Sequence, residues 1–371
     1  MIAVPANRVD LRKAEEHEVV LQDNPERWVI LPIKFPTVWD MFKRIETTFW
    51  TAEDVDFSKD HENFEAFAED QLDVLKKICM FNFSCNGKVY DRLDDITARL
   101  MIQTQLPESR AYYGFQIAME TIHKEAWMHA AETYVHDKKE REELTQTLLS
   151  SPSVQKKRDF MAAHLEKECP FSEKLVAVVC MKRIFTATNR ALLSALHQRN
   201  LIPGLGHANT NISRDEKLHG DCACLLFGML HESKLEADEV EAMIREAVEI
   251  EEEFCREFVE TDKLGLSPDL IRAFVDLVAA SCFRSLQVPV PSPFDRPSQQ
   301  VAAHFPLLKE APLDDVMAQP PASKPSGRTV RAKMDAEGDG DLEHTVGDFQ
   351  KEKEEANAHQ RAEEFALHAD F

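Results

Sequence analysis

The sequence has little glycine, little tyrosine and a shortage of positive charge. There are 11 glycines and 4 tyrosines in 371 residues. Scarce glycine, with Ala, Leu, Glu and Lys running through most of the chain, favours helices over sheets. Lys and Arg number 44 against 66 Asp and Glu, so the formal net charge is −22. Because nucleic acids and anionic membranes are bound through Lys and Arg, both are poor partners for this chain.

The sequence also lacks the marks of secretion and of membrane insertion. Its eight cysteines include no C-x-x-C pair, which predicts free, buried thiols in a reducing compartment. The N-terminus has no apolar run long enough for a signal peptide. No stretch approaches the ~20 apolar residues of a membrane span. We therefore expect a cytoplasmic protein with no membrane or nucleic-acid partner.

Apolar residues recur at helical spacing through most of the chain, and strand-like alternation is essentially absent. The predicted helices include Thr37–Trp50, Phe64–Asn86, Tyr112–Tyr134, Phe171–Arg199, Asn211–Leu230, Ala237–Val259 and Pro268–Leu286. Several are apolar on more than one face, which is typical of helices in the middle of a bundle. The pattern predicts an all-α helical bundle.

The two ends of the chain differ in composition from the middle. Residues 1–25 are polar and are predicted to form a flexible segment. Residues 297–364 hold few large apolar side chains, which predicts a disordered tail. Residues 365–371 regain two Phe and a Leu, a pattern that fits a docking peptide or a core element. The folded domain is expected over residues 26–296.

Two Glu-x-x-His motifs stand out, Glu120 with His123 and Glu216 with His219. On a helix, positions i and i+3 share a face, so each pair can direct a carboxylate and an imidazole at one point. Di-metal carboxylate bundles use two such helices, with one further carboxylate from each of two other helices. Two surface Glu/His pairs in an acidic chain would give the same spacing, and the pattern alone leaves both interpretations open.

A wider set of motifs occurs in a fixed order along residues 24–296. They are Asn24-Pro25-Glu26-Arg27, Phe49-Trp50-Thr51-Ala52-Glu53, Ser58-Lys59-Asp60, Pro107-Glu108-Ser109-Arg110, Tyr113-Gly114-Phe115-Gln116, Pro203-Gly204-Leu205, Ile212-Ser213-Arg214-Asp215-Glu216 and Pro293-Phe294-Asp295. In these motifs the chain resembles the small subunits of eukaryotic class I ribonucleotide reductases.

The resemblance implies a ferritin-like di-iron carboxylate bundle with redox chemistry. In that family two bridged irons react with oxygen and oxidise a nearby Tyr to a stable radical. The oxidising equivalent passes through a Trp–Asp–His chain and a tail Tyr to the large subunit, which reduces ribonucleotides. The C-terminal peptide docks on the large subunit, and here it would use Phe365, Leu367, Asp370 and Phe371.

Carried over position by position, the resemblance implies an incomplete metal site. Four ligand positions are retained, namely Glu120, His123, Glu216 and His219. Two expected carboxylates are replaced, one by Asn86 and one by Lys182. Asn86 offers only a neutral carbonyl oxygen, and the Lys182 ammonium has no lone pair and repels a divalent ion.

The redox residues are also only partly kept. Trp50, Asp215 and His123 match the internal relay, whereas the radical Tyr is Trp127 and the tail Tyr is Phe349. Trp127 is oxidisable in principle. Phe349 has no phenolic proton to lose, so the expected step into the large subunit lacks its carrier.

A polar helix face accompanies the lost carboxylate. Lys182, Thr186, Asn189 and Arg190 follow at i, i+4, i+7 and i+8. We hypothesise that Lys182, with Arg190, takes the electrostatic place of the metals, so that the bundle folds with no iron or with partially bound iron. The alternative is a Lys182 side chain that reaches the solvent.

Three functions follow from these substitutions. The first is a non-radical auxiliary small subunit that pairs with an active small-subunit paralogue and serves deoxyribonucleotide synthesis for DNA replication and repair. The second is an active oxidoreductase with an altered metal and Trp radical site. The third is a decoy that regulates the large subunit by occupying it through the tail.

Overall fold

A computed structural model describes residues 6–25, 27, 29–85, 89, 93–165, 168–295 and six positions between 301 and 317. Its contacts divide the chain into two units, Met1–Ser323 and Lys324–Phe371. The second unit lies outside the described residues. The predictions for Asn86, for Phe349 and for the peptide 365–371 therefore fall outside the described part.

Within the described part the chain forms helices and turns and no strand, which confirms the predicted all-α class. The α-helices are α1 (Ala6–Ala14), α2 (Pro36–Thr47), α3 (Ser58–Glu62), α4 (Glu69–Ser84), α5 (Leu93–Gln103), α6 (Pro107–Tyr134), α7 (Lys138–Ser150), α8 (Pro152–Leu165), α9 (Phe171–Val179), α10 (Ala187–Gln198), α11 (Pro203–Gly228), α12 (Ala237–Phe254) and α13 (Pro268–Ser285). None of the described helices is long and apolar enough to cross a membrane.

The two longest described helices lie in the centre of the bundle. Helix α6 packs against α2, α4 and α5, and α11 packs against α9 and α10. The buried apolar side chains of these helices belong to one continuous core. All eight cysteines are buried and in the thiol form, as predicted, and all but Cys169 belong to this core. Helices α6 and α11 also carry the two Glu-x-x-His motifs, so both motifs lie in the interior.

One predicted helix is interrupted. The segment Phe171–Arg199 divides into α9 and α10 around a π-helical turn, Cys180–Ile184, in which the Phe185 N–H donates to the Cys180 carbonyl at 2.9 Å. The interruption changes which carbonyl groups are paired along the helix. Buried cations bond to two carbonyl oxygens here, with Lys157 Nζ 2.9 Å from that of Phe185 and Arg190 Nη2 3.0 Å from that of Arg183. Apolar spacing does not reveal such a local change of hydrogen-bond register.

The N-terminal segment contacts the bundle over its described residues 6–25. One of these contacts is made by a buried carboxylate. Glu18 accepts hydrogen bonds from the backbone N–H groups of His231, Glu232 and Ser233 at 2.8–3.1 Å. Burial alone would raise the pKa of Glu18, but these hydrogen bonds outweigh it and lower the pKa.

A second buried carboxylate fixes the start of α11. Asp60 accepts hydrogen bonds from the N–H groups of Gly204 at 2.6 Å and Leu205 at 2.7 Å. Gly204 is required because a Cβ there would lie 2.5 Å from the Asp56 carbonyl oxygen. The cap lets α11 begin at Pro203, eight residues before the predicted start at Asn211. Two motifs distant in sequence, Ser58-Lys59-Asp60 and Pro203-Gly204-Leu205, thus contact each other at the start of α11.

We predict that Asp60→Ala lowers the free energy of unfolding by about 2 kcal/mol, because two buried N–H groups lose their acceptor. Asp73→Ala, which removes an exposed carboxylate from α4, serves as the control and should change it by less than about 0.5 kcal/mol. Urea denaturation followed by circular dichroism measures both. Equal midpoints for the two variants would contradict the capping role.

Candidate functional site

The two Glu-x-x-His motifs meet inside the bundle. Glu120 and His123 on α6, and Glu216 and His219 on α11, each have at most 9% of their surface exposed. His123 Nδ1 lies 3.4 Å from Glu216 Oε1, which links the two motifs directly. The interpretation as two surface pairs is therefore wrong.

Lys182 occupies the space between the two carboxylates. Its Nζ lies 2.9 Å from Glu120 Oε1 and 3.2 Å from Glu216 Oε1. The Lys182 residue is only 2% exposed, so its ammonium does not reach the solvent. Burial alone would lower the pKa of Lys182, but the two carboxylates outweigh it and raise the pKa. Burial would likewise raise the pKa of Glu216, yet Lys182 first, and then the two histidines, bring it well below its ordinary value.

Neutral donors complete the environment of Glu120. Thr97 Oγ1 on α5 lies 3.0 and 3.1 Å from the two carboxylate oxygens, and Gln116 Nε2 lies 3.0 Å from Oε1. A buried charge is tolerated when it is both paired and hydrogen-bonded, and Glu120 meets both conditions. Sequence reasoning missed Thr97, for which no signal exists. Gln116 lies one turn before Glu120, and that spacing could have identified it.

The predicted relay residues are in contact. Trp50 Nε1 donates to Asp215 Oδ2 at 2.7 Å, and His123 Nε2 lies 3.0 Å from the same oxygen. The Trp50 and His123 rings are stacked with centroids 5.9 Å apart. Burial lowers the pKa of His123, but hydrogen bonds to Asp215 and Glu216 outweigh it and raise the pKa to about 9. As an imidazolium, His123 donates from both nitrogens, to Asp215 and to Glu216.

The pKa of His219 shifts in the opposite direction to that of His123. Its Nδ1 lies 3.7 Å from Glu216 Oε1, and neither ring nitrogen makes a hydrogen bond in the described part of the chain. Burial lowers the pKa of His219 more strongly than Glu216 raises it, so the ring is neutral. The histidines of the two motifs therefore differ in charge: His123 is an imidazolium and His219 is neutral.

The polar face predicted on the helix of Lys182 borders a cavity of about 60 Å³. Lys182, Thr186, Asn189 and Arg190 all line it despite the π-helical turn, and Trp127 lines it from α6. Arg190 is 4% exposed. The charged side chains around this cavity are thus two buried acids, Glu120 and Glu216, and three buried cations, Lys182, Arg190 and the His123 imidazolium, whose charge is offset by Asp215.

The residues present do not fit a two-metal centre. A metal held by both motifs would need lone pairs from Glu120 and Glu216, and both carboxylates instead bind the Lys182 ammonium. An ammonium donates no lone pair and repels a divalent cation. Among the described side chains, no three His, Cys, Asp or Glu residues converge in a way that could hold a metal ion.

A helical bundle with a Glu-x-x-His motif on each of two facing inner helices defines the ferritin-like class of carboxylate proteins. Within that class, residues 27–294 match the model of the family "Ribonucleotide reductase, small chain". The chain belongs to this ribonucleotide reductase small-chain family.

Individual relatives agree with the family match. The chain is 35% identical over 262 residues to the ribonucleoside-diphosphate reductase small chain of Nicotiana tabacum, covering 71% of this chain and 78% of that protein. It is 37% identical over 279 residues to ribonucleoside-diphosphate reductase subunit M2 of Mesocricetus auratus, covering 75% and 71%. The solved structure of the ribonucleotide reductase Rnr4 homodimer from Saccharomyces cerevisiae superposes with a TM-score of 0.72 at 30% identity, covering 79% and 92%.

We predict that Lys182→Met lowers the free energy of unfolding by about 3–5 kcal/mol, because two buried carboxylates lose their counter-charge. Adding Glu120→Gln and Glu216→Gln to that variant should recover part of the loss, since the two groups that Lys182 binds are then neutral amides. Lys139→Met, at a lysine whose side chain is 81% exposed, is the matched control. Urea denaturation at neutral pH is the measurement, and a Lys182→Met variant as stable as the control would refute the charge pairing.

Proposed function

We propose that this chain is a non-radical auxiliary small subunit of ribonucleoside-diphosphate reductase. The observation that carries the proposal is the Lys182 ammonium bound to both Glu120 and Glu216. In the proposed role, the retained ligand positions serve as a structural charge cluster, with no iron or only partially bound iron.

The charge balance of the site supports a fold that needs no metal. Glu120 and Glu216 contribute two negative charges, Lys182 and Arg190 contribute two positive ones within the same small region, and the His123 imidazolium is paired with Asp215. Side chains of this chain therefore supply the neutralisation that divalent ions would otherwise supply. A protein of this kind folds and assembles independently of iron supply.

The redox residues support the absence of a radical function. Trp50, Asp215 and His123 keep their mutual contacts, but Trp127 stands at the proposed radical position. Phe349, at the proposed tail position, cannot undergo the loss of a phenolic proton. A relay with neither end in place does not deliver an oxidising equivalent to another subunit.

The proposed partners are the large subunit and a second small subunit. The large subunit would bind the C-terminal peptide through Phe365, Leu367, Asp370 and Phe371, with residues 297–364 as the tether. A catalytically intact paralogue would supply the radical in a mixed dimer. The Rnr4 relative was solved as a homodimer, which supports pairing between small subunits. Eight cysteines in the thiol form support the cytosol as the compartment.

We predict that the chain alone gives no nucleotide reduction with a large subunit, and that it stimulates a weakly active, metal-complete small subunit. Deleting residues 365–371 should abolish the stimulation, and Phe371→Ala should weaken it more than His368→Ala, the matched control. The measurement is the rate of deoxyribonucleotide formation. Inhibition without stimulation would support the decoy function instead, and stimulation that survives the deletion would contradict the proposed tail contact.

A second candidate, an altered oxidoreductase, has one observation in its favour: Trp127 lines the same cavity as Glu120, His123 and Glu216. We predict that anaerobic iron loading followed by oxygen leaves the chain with well under one iron per polypeptide and no protein radical. Electron paramagnetic resonance and iron analysis test this, with a metal-complete small subunit treated in parallel. Near-stoichiometric iron, a Trp radical, or unfolding in chelator would favour the oxidoreductase.

A further inference from the structure

We infer that a cavity beside α5 is a binding site for a small amphiphilic anion, a molecule with an apolar body, one acidic group and a hydrogen-bond donor. None of the described residues that line this cavity lines the cavity of Lys182. The inference therefore goes beyond the proposed function and does not depend on it.

The cavity has a volume of about 340 Å³, which is within the range of pockets that hold small-molecule ligands. Its described lining comes from three helices. One face of α5 forms most of it, the last residue of α8, Leu165, adds to it, and Lys174 reaches it from the first turn of α9. The space is thus enclosed by segments that are distant in sequence.

Aliphatic side chains form most of the wall. Ile96 and Leu100, one helical turn apart on α5, are buried, and Leu165 lines the same space. Ile102 also lines the cavity and is 67% exposed. Apolar surface left in water beside a cavity is stabilised when an apolar ligand covers it. The wall therefore calls for a ligand with an apolar body.

The charges at the cavity select for an anion. The two charged residues in the described lining, Arg99 and Lys174, are both cations. Arg99 is exposed, whereas Lys174 is 6% exposed. Burial lowers the pKa of Lys174, and the attraction of Glu15 offsets this effect only in part. An acidic group in the cavity would therefore stabilise the Lys174 ammonium.

The net charge of the chain favours a small molecule over an acidic macromolecule as the occupant. The chain carries a net charge of −22, so a large acidic partner meets repulsion over most of the surface. Because salt screens charges beyond about 8 Å, a small anion interacts mainly with the cations beside it. Such a ligand gains the local attraction of Arg99 and Lys174 without the wider repulsion.

A buried acceptor adds a third requirement. Gln103 lines the cavity, and its Oε1 is buried with no hydrogen-bond partner in the described part of the chain. A buried acceptor without a partner costs about 1–3 kcal/mol. A hydroxyl or amide N–H on the ligand would satisfy it. The expected class is thus an acid with an alkyl chain and one donor group, such as an N-acyl amino acid.

Isothermal titration calorimetry of the full-length chain with N-octanoylglycine tests the inference. This compound combines an alkyl chain, an amide N–H and a carboxylate. We expect one saturable site per chain. The methyl ester, which lacks the charge but keeps the chain and the N–H, should bind at least about tenfold more weakly because it loses the charge-assisted contacts.

Two pairs of variants locate the site. Arg99→Glu should weaken binding of the acid at least about tenfold by placing a like charge at the cavity, whereas Arg199→Glu, at an exposed arginine that follows α10, should not. Ile102→Glu should weaken it similarly, with Met128→Glu, at a partly exposed methionine of α6, as the control. Circular dichroism checks that each variant is folded, and should Arg99→Glu fail to fold, Ile102→Glu tests the same cavity.

Three outcomes would overturn the inference: no saturable binding of N-octanoylglycine, equal affinity for the acid and its ester, or folded Arg99→Glu and Ile102→Glu variants that bind the acid as the unmodified chain does. None of these outcomes involves the reductase assay. The auxiliary function and the anion site are therefore tested separately.

Discussion

The ammonium of Lys182, held between two buried carboxylates, is the interaction on which the rest of this structure depends. It joins three parts of the bundle, because Glu120 lies on α6, Glu216 on α11 and Lys182 on the π-helical turn. An isolated carboxylate in such a place would be costly to bury, and two unpaired ones would be more so. The pairing is therefore a condition for packing α6 against α11 with their Glu-x-x-His motifs turned inward.

The turn that carries Lys182 depends in its own right on a second buried pair. Lys157 Nζ lies 2.5 Å from Glu251 Oε2 and 2.9 Å from the carbonyl oxygen of Phe185, just after the turn. Glu251 Oε1 also accepts from the Thr188 N–H, at the start of α10. Lys157 lies 3.6 Å from the ring centre of Phe254. The Lys157–Glu251 ion pair thus stabilises the interruption between α9 and α10. That interruption in turn positions Lys182 for its own ion pairs.

The two histidines show how the neighbouring charges set the properties of the site. His123 contacts Asp215 and Glu216 and is held as an imidazolium, whereas His219 is buried beside Glu216 and the Lys182 cation and stays neutral. The relay geometry of Trp50, Asp215 and His123 is compatible with this charged state, because the imidazolium and the indole donate to one carboxylate oxygen. In this chain those contacts have a structural function whether or not an electron passes through them. The contacts among Trp50, Asp215 and His123 are consequently weak evidence for electron transfer.

The sequence by itself determined the helical class, the two Glu-x-x-His motifs and the family, because each of these depends on residue type and local spacing. The direction of the Lys182 side chain was decided only by the tertiary structure, since a lysine on a helix can reach solvent or pair inward, and its partners lie 62 and 34 residues away. The π-helical turn and the backbone contacts made by Glu18 and Asp60 were likewise invisible in the sequence. Each is a contact between distant segments, and local periodicity contains no information about which backbone groups a buried carboxylate will meet.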